Sequence, residues 1–161
     1  MKRWLICLLL VLPLVLSACR LESQPRTRQD YDSPEQMLED VDYTVYLPTD
    51  LPEGFALAEV YSMDRDIFRF VYRNGEEELV FSVSETDRDP SGDYGDYEII
   101  TTRTVYKYTL ALKSNDGEDY LAVFTIRTDK RDIHYAITPA SMDELFLILG
   151  SLEPFETPEE T

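Results

Sequence analysis

Between Asp87 and Glu98 the chain spaces its side-chain oxygens as a hard cation would require. Asp87, Asp89, Ser91 and Asp93 fall at positions 1, 3, 5 and 7 of the run, Gly92 at 6 and Glu98 at 12. Carboxylate and hydroxyl oxygens in that order can wrap one Ca²⁺. The remaining catalytic vocabulary is thin. His134 is the only histidine, Cys7 and Cys19 are the only cysteines, and a zinc site of the usual ligand types would need more of both. A hydroxyl-imidazole-carboxylate arrangement would have to be built on His134, and no nucleophile-elbow sequence occurs. Within Ile133–Ile137, His134 lies opposite Ile133, Tyr135 and Ile137 and beside Ala136, the position of an exposed strand histidine. No P-loop or dinucleotide fingerprint is present. Two carboxyls could serve glycoside hydrolysis if a cleft held them at a set separation, but no pattern singles out such a pair.

The 87–98 run resembles an EF-hand calcium loop and departs from it in three ways. Pro90 sits inside it, Tyr94 replaces the small aliphatic residue usual at position 8, and both flanks read as strands rather than helices. In a chain with 32 acidic side chains the default for such a stretch is a solvated connection.

Cys19 carries different chemistry. Lys2 and Arg3 precede an apolar run from Leu5 to Leu16, too short at about 18 Å of helix to span a bilayer core of about 30 Å. Leu16-Ser17-Ala18-Cys19 then resembles the lipobox of bacterial lipoproteins, in which a diacylglycerol is attached to the cysteine thiol and the chain is cleaved before it. Residues 1–18 are therefore expected to be a lipoprotein signal peptide, and Cys19 the lipidated residue that anchors the chain to the cell membrane, facing outside the cytoplasm. Two or more acyl chains give stable anchoring where one is marginal. The mature chain would keep no free thiol.

The 161 residues suit one domain. A formal charge of −17 excludes a nucleic-acid partner by repulsion, and 43% apolar with 12% aromatic residues is too rich for disorder. Residues 19–31, with Arg, Gln, Pro and Ser and no apolar period, read as the lipidated cysteine and a flexible stalk. Residues 32–153 read as a single α+β domain, and 154–161 as an acidic disordered tail.

Within the domain the dominant period is two. Phe68, Phe70 and Tyr72 share a face, Asn74-Gly75 turns the chain, and Leu79, Phe81 and Val83 follow, which predicts a hairpin. Thr104 to Lys113 reads as one strand with Tyr106, Tyr108, Leu110 and Leu112 on one face. Asn115-Asp116-Gly117 precedes a strand containing Ala122, Phe124 and Ile126, and Asp129-Lys130 precedes the one containing His134. Phe55–Tyr61 and Tyr43–Leu47 complete a curved antiparallel meander of about six strands. Ser33-Pro34-Glu35-Gln36 opens an N-terminal helix with Met37, Leu38 and Val41 on one side. Ser141-Met142-Asp143-Glu144 opens a C-terminal helix with Met142, Leu145, Phe146 and Leu149 on one face and Gly150 as its stop. Both helices are expected to pack on the sheet. Several strands are apolar on both faces, so the second face needs a cover.

Leu47-Pro48-Thr49-Asp50-Leu51-Pro52-Glu53-Gly54-Phe55 resembles the opening of the family called domain of unknown function 4367. Ile133 to Ile137, Ser141 to Leu145 and Leu149 to Leu152 resemble its close. The chain has Phe124 or Thr125 where that family tends to have Trp. The resemblance implies a noncatalytic extracytoplasmic domain and carries over no catalytic residues. The expected function is thus a membrane-anchored lipoprotein binding an envelope protein or ligand. The alternative is a carrier or sensor of an apolar ligand, held in a cavity beneath Met142, Phe146 and Leu149.

Overall fold

The computed structural model describes residues 27–155. The expected signal peptide, Cys19, most of the expected stalk and residues 156–161 lie outside the described residues. No described helix is long and apolar enough to cross a membrane.

The described chain runs β1 (Arg28–Tyr31), α1 (Pro34–Leu38), β2 (Tyr46–Pro48), β3 (Ala56–Met63), β4 (Ile67–Asn74), β5 (Glu77–Ser84), β6 (Ile99–Val105), β7 (Tyr108–Ser114), β8 (Tyr120–Arg127), β9 (Asp132–Ala140), α2 (Met142–Gly150) and β10 (Leu152–Pro154). Eight strands form one open antiparallel sheet in the order β1-β3-β4-β5-β9-β8-β7-β6, and β10 pairs with β2 in a short ribbon. The class is β-rich α+β. The sheet has eight strands rather than about six, and it is not one meander: β3-β4-β5 and β6-β7-β8-β9 are two meanders joined where β5 meets β9.

Alternation along the strands divides the sheet into two faces. The inner face carries Phe70, Phe81, Tyr135, Leu110, Leu112 and Ile137, all fully buried. Phe124 stacks on Tyr135 at 5.2 Å. Met37 from α1, Leu145, Ile148 and Leu149 from α2, and Val45 and Leu47 close the same core. Burial of that many aromatic and aliphatic side chains is the main stabilising term.

Several further expectations need correction. Residues 28–31 are a strand, not stalk: they pair with Val60–Met63 of β3. Their polar sequence hid them, because an edge strand is held by its ladder and its charges. Arg28 lies 3.8 Å over the Tyr61 ring and pairs with Glu59 at 2.8 Å. The domain also runs past 153, since Pro154 pairs with Tyr46 and the Phe155 amide donates to the Val45 carbonyl.

The expected strand 104–113 is broken at Tyr106 and Lys107, where β6 turns into β7. Tyr106 has φ +52, at the first position of a two-residue hairpin turn where glycine is the favoured residue. The alternation runs through without a turn residue, so the break left no mark in the pattern. Tyr106 is consequently exposed, and its ring sits edge-on to Phe146 at 6.0 Å.

Both helices differ in detail. α1 is a single short turn that ends before Val41. α2 has its full Ser141/Glu144 capping box, but its buried residues are Leu145, Ile148 and Leu149, while Phe146 is 45% exposed and turned toward Tyr106. Gly150 belongs to the helix and Ser151 caps it. A Cβ at Gly150 would stand 3.1 Å from the Tyr106 hydroxyl, so this glycine makes room for the hairpin tip rather than supplying the stop.

Candidate functional site

The connection from β5 to β6 has to pass β9, β8 and β7, and residues 85–98 make that crossing over the outer face. One row of that face runs Tyr61, Arg69, Ser82, Ala136, Val123, Ala111, Thr102 through successive register pairs. Its centre is small, Ser82 and Ala136, and both are fully covered. Arg69 from β4 reaches in from one side and donates to the Ser91 carbonyl at 2.6 Å. Lys113 from β7 reaches in from the other and pairs with Asp89 at 2.8 Å. Pro90 between them is buried. The segment is a strap clamped by two cations, and it covers part of the second face.

The oxygens expected to hold calcium are committed within this strap. Asp89 Oδ2 takes the Lys113 ammonium, and Oδ1 accepts from the Ser91 amide and hydroxyl. Burial works to raise the Asp89 pKa, but Lys113 and Ser91 outweigh it and hold the carboxyl below its ordinary value. Asp93 is also held low, by the Tyr97 hydroxyl and then the Gly95 amide. Ser91 Oγ accepts from the Asp93 amide. The Asp87 carboxylate is fully exposed, and the Glu98 backbone is tied to Asn115. The loop therefore brings Asp89, Ser91 and Asp93 into contact but does not gather them with Asp87 and Glu98. Among the described residues no three His, Cys, Asp or Glu side chains converge on one metal position.

His134 is partly buried rather than exposed. Its Nδ1 is 3.0 Å from the Thr125 hydroxyl on the neighbouring strand, and its Nε2 is 3.7 Å from Asp87. The order hydroxyl, imidazole, carboxylate is that of a catalytic triad. In such triads, however, a buried carboxylate hydrogen-bonds the imidazole and fixes its orientation. Asp87 is neither buried nor within hydrogen-bond distance. Elsewhere, Arg131 bridges Asp42 and Glu85 beside a cavity of about 80 Å³ that also meets Asp40, Tyr43 and Asp66.

Beyond the strap the sheet opens. β7 pairs completely with β6, from Ile99↔Ser114 to the hairpin end at Val105↔Tyr108. β8 pairs with β9 as far as Arg127↔Asp132. Between β7 and β8 the ladder holds only Ala111↔Val123, Leu112↔Ala122 and Lys113↔Leu121. Continued in register, Thr109 would face Thr125. Alternation counted from the Val105–Tyr108 closing pair turns the Thr109 N–H and C=O toward β8, and counted from Val123 it turns those of Thr125 toward β7. The two sets lie outside any ladder.

A groove of about 930 Å³ fills this divergence. Thr102, Ala111, Val123 and Thr125 line it from the outer face, while Tyr46, Tyr108 and Phe124 belong to the inner side. Tyr108 and Phe124 are almost fully buried, so they form the floor of the groove beside the point where the ladder stops. Its charged lining residues are Lys107 and Arg127. Lys107 has no ion pair among the described residues, and Arg127, highly exposed, has only a 3.7 Å approach to Asp132. Sequence reasoning named none of these as site residues, because a seam depends on which strands fail to pair.

The alternative reading expects an apolar cavity beneath Met142, Phe146 and Leu149 of α2. There Leu145, Ile148 and Leu149 meet the core with almost no exposure. Comparison of the chain with protein-family models, curated proteins and solved structures found no match in any of the three.

Proposed function

We propose that the chain is a noncatalytic binding domain, held outside the cytoplasmic membrane by lipid on Cys19, that engages an envelope partner through the seam between β7 and β8. The observation that carries the binding role is the early end of the β7–β8 ladder at Ala111↔Val123 beside a groove of about 930 Å³. Grooves of roughly 300–1,000 Å³ are the usual size of ligand sites, and open strand edges are natural points of association. The anchoring role is supported by the basic start, the short apolar run and Leu16-Ser17-Ala18-Cys19.

Two measurements test the two halves. Metabolic labelling with palmitate in the native host should mark the wild-type chain and not Cys19→Ser. An unlabelled wild-type chain removes the anchor. A photo-crosslinking side chain at Thr109 should give a discrete adduct in native membranes, and the same group at Glu77, exposed on the opposite half of the sheet, should not. Equal labelling from both positions removes the seam as the binding surface.

A further inference from the structure

We propose that the seam takes an extended, acidic segment of a partner protein, which pairs its backbone with Thr109 and Thr125 and sets its carboxylates against Lys107 and Arg127. This rests on the binding-domain reading and names the chemistry of the partner. Three features converge. The open N–H and C=O groups of Thr109 and Thr125 follow from where the ladder stops, and an extended chain satisfies such groups as a neighbouring strand would. The outer lining is small, with Thr102, Ala111 and Val123 leaving the edges unobstructed.

Charge selects the occupant. On a chain of formal charge −17, the charged groups lining the groove are both cations. A carboxylate-bearing segment is thus drawn to this place and repelled elsewhere, so electrostatics sets register and specificity. A nucleic-acid strand meets the repulsion of the whole body. A second copy carries the same net charge and is disfavoured for the same reason.

The test uses the full chain in detergent and three peptides of about eight residues, the common length of a strand. One alternates Glu and Val, one alternates Lys and Val, and one is the Glu-Val sequence with alternate amides N-methylated. The Glu-Val peptide is expected to bind by fluorescence anisotropy and to slow amide exchange at Thr109 and Thr125. The other two should bind at least about tenfold more weakly. The pair Lys107→Glu and Arg127→Glu should weaken the Glu-Val peptide by about tenfold or more. Both side chains are exposed, and an unchanged melting temperature will show that the fold survives.

Equal binding of the Lys-Val peptide overturns the charge assignment, and equal binding of the N-methylated one overturns strand pairing. Absence of binding at about 1 mM overturns the proposal outright. So does protection of Thr109 and Thr125 in the free chain, whether it rises with protein concentration, as a second copy would cause, or disappears when residues 156–161 are removed. If the Thr109 crosslink persists in membranes while the Glu-Val peptide fails, the partner chemistry is wrong and the binding domain stands. If both fail, the binding domain falls as well.

Discussion

The middle of the sheet and its β7–β8 junction are built from similar residues and end in opposite conditions. At the centre, β4 pairs with β5 without interruption from Phe68↔Val83 to Asn74↔Glu77, and β5 pairs with β9 from Val80↔Thr138 to Ser84↔His134. Phe70, Phe81 and Tyr135 fill the inner side, and the 85–98 strap, held by Arg69 and Lys113, lies over the outer one. At the junction the pairing covers three positions, after which each strand follows its own hairpin partner. The difference is one of cover and neighbour rather than of strand propensity. A strand closed on both edges and both faces has only a packing role left to play. One left open on an edge, beside a groove, keeps hydrogen-bonding capacity that water fills and a partner can displace.

The contrast can be broken most forcefully at the core. Phe81→Ala should lower unfolding free energy by about 3–5 kcal/mol, the usual range for removing a buried aromatic ring, whereas Val123→Ala at the seam should cost about 1 kcal/mol or less. Urea denaturation reads both, and equal losses would mean that the junction is as tightly packed as the centre.

The strap comes next. Asp89→Asn should cost about 1–2 kcal/mol at neutral pH, because a half-buried charged hydrogen bond to Lys113 is removed. The folded carboxyl titrates below its unfolded value near 4. Its contribution is therefore present above about pH 4 and is lost as pH falls through the lower folded value. The gap in stability between wild type and Asp89→Asn should accordingly narrow below pH 4. A gap that is constant with pH would detach Asp89 from the clamp.

The smallest effect concerns calcium. With Asp89, Ser91 and Asp93 engaged within the strap and Asp87 and Glu98 outside that contact, millimolar calcium should leave the melting temperature unchanged. A ligand specific to the folded state would raise it. A rise that is lost in Asp89→Ala with Glu98→Ala would restore the loop as an ion site.

Local patterns revealed the parts of this fold that are local. The hairpin around Asn74-Gly75, with Phe68, Phe70 and Tyr72 inward, was legible because turn chemistry and alternation agree there. So was the capping box at Ser141 and Glu144. The turn at Tyr106 is hidden because Tyr106-Lys107 contains neither glycine nor asparagine and the alternation of apolar residues runs straight through it, although Tyr106 takes the left-handed backbone such a turn requires. Residues 28–31 were misread because their stabilising partners, Glu59 and Tyr61, come from β3. The oxygen spacing in 87–98 is real, but Arg69 and Lys113 from distant strands decide what that loop does. The seam was invisible for the deepest reason. Alternation marks each of β7 and β8 as a strand, and nothing local to either records that the two part company after Ala111 and Val123.

Residue-resolved amide hydrogen exchange on the free chain tests the open seam most directly. The amides of Thr109 and Thr125 should exchange at least about a hundredfold faster than those of Leu110 and Phe124, which face the β6 and β9 ladders. Protection of Thr109 and Thr125 equal to that of their neighbours would show that β7 and β8 are zipped to the end, leaving no edge to receive a partner.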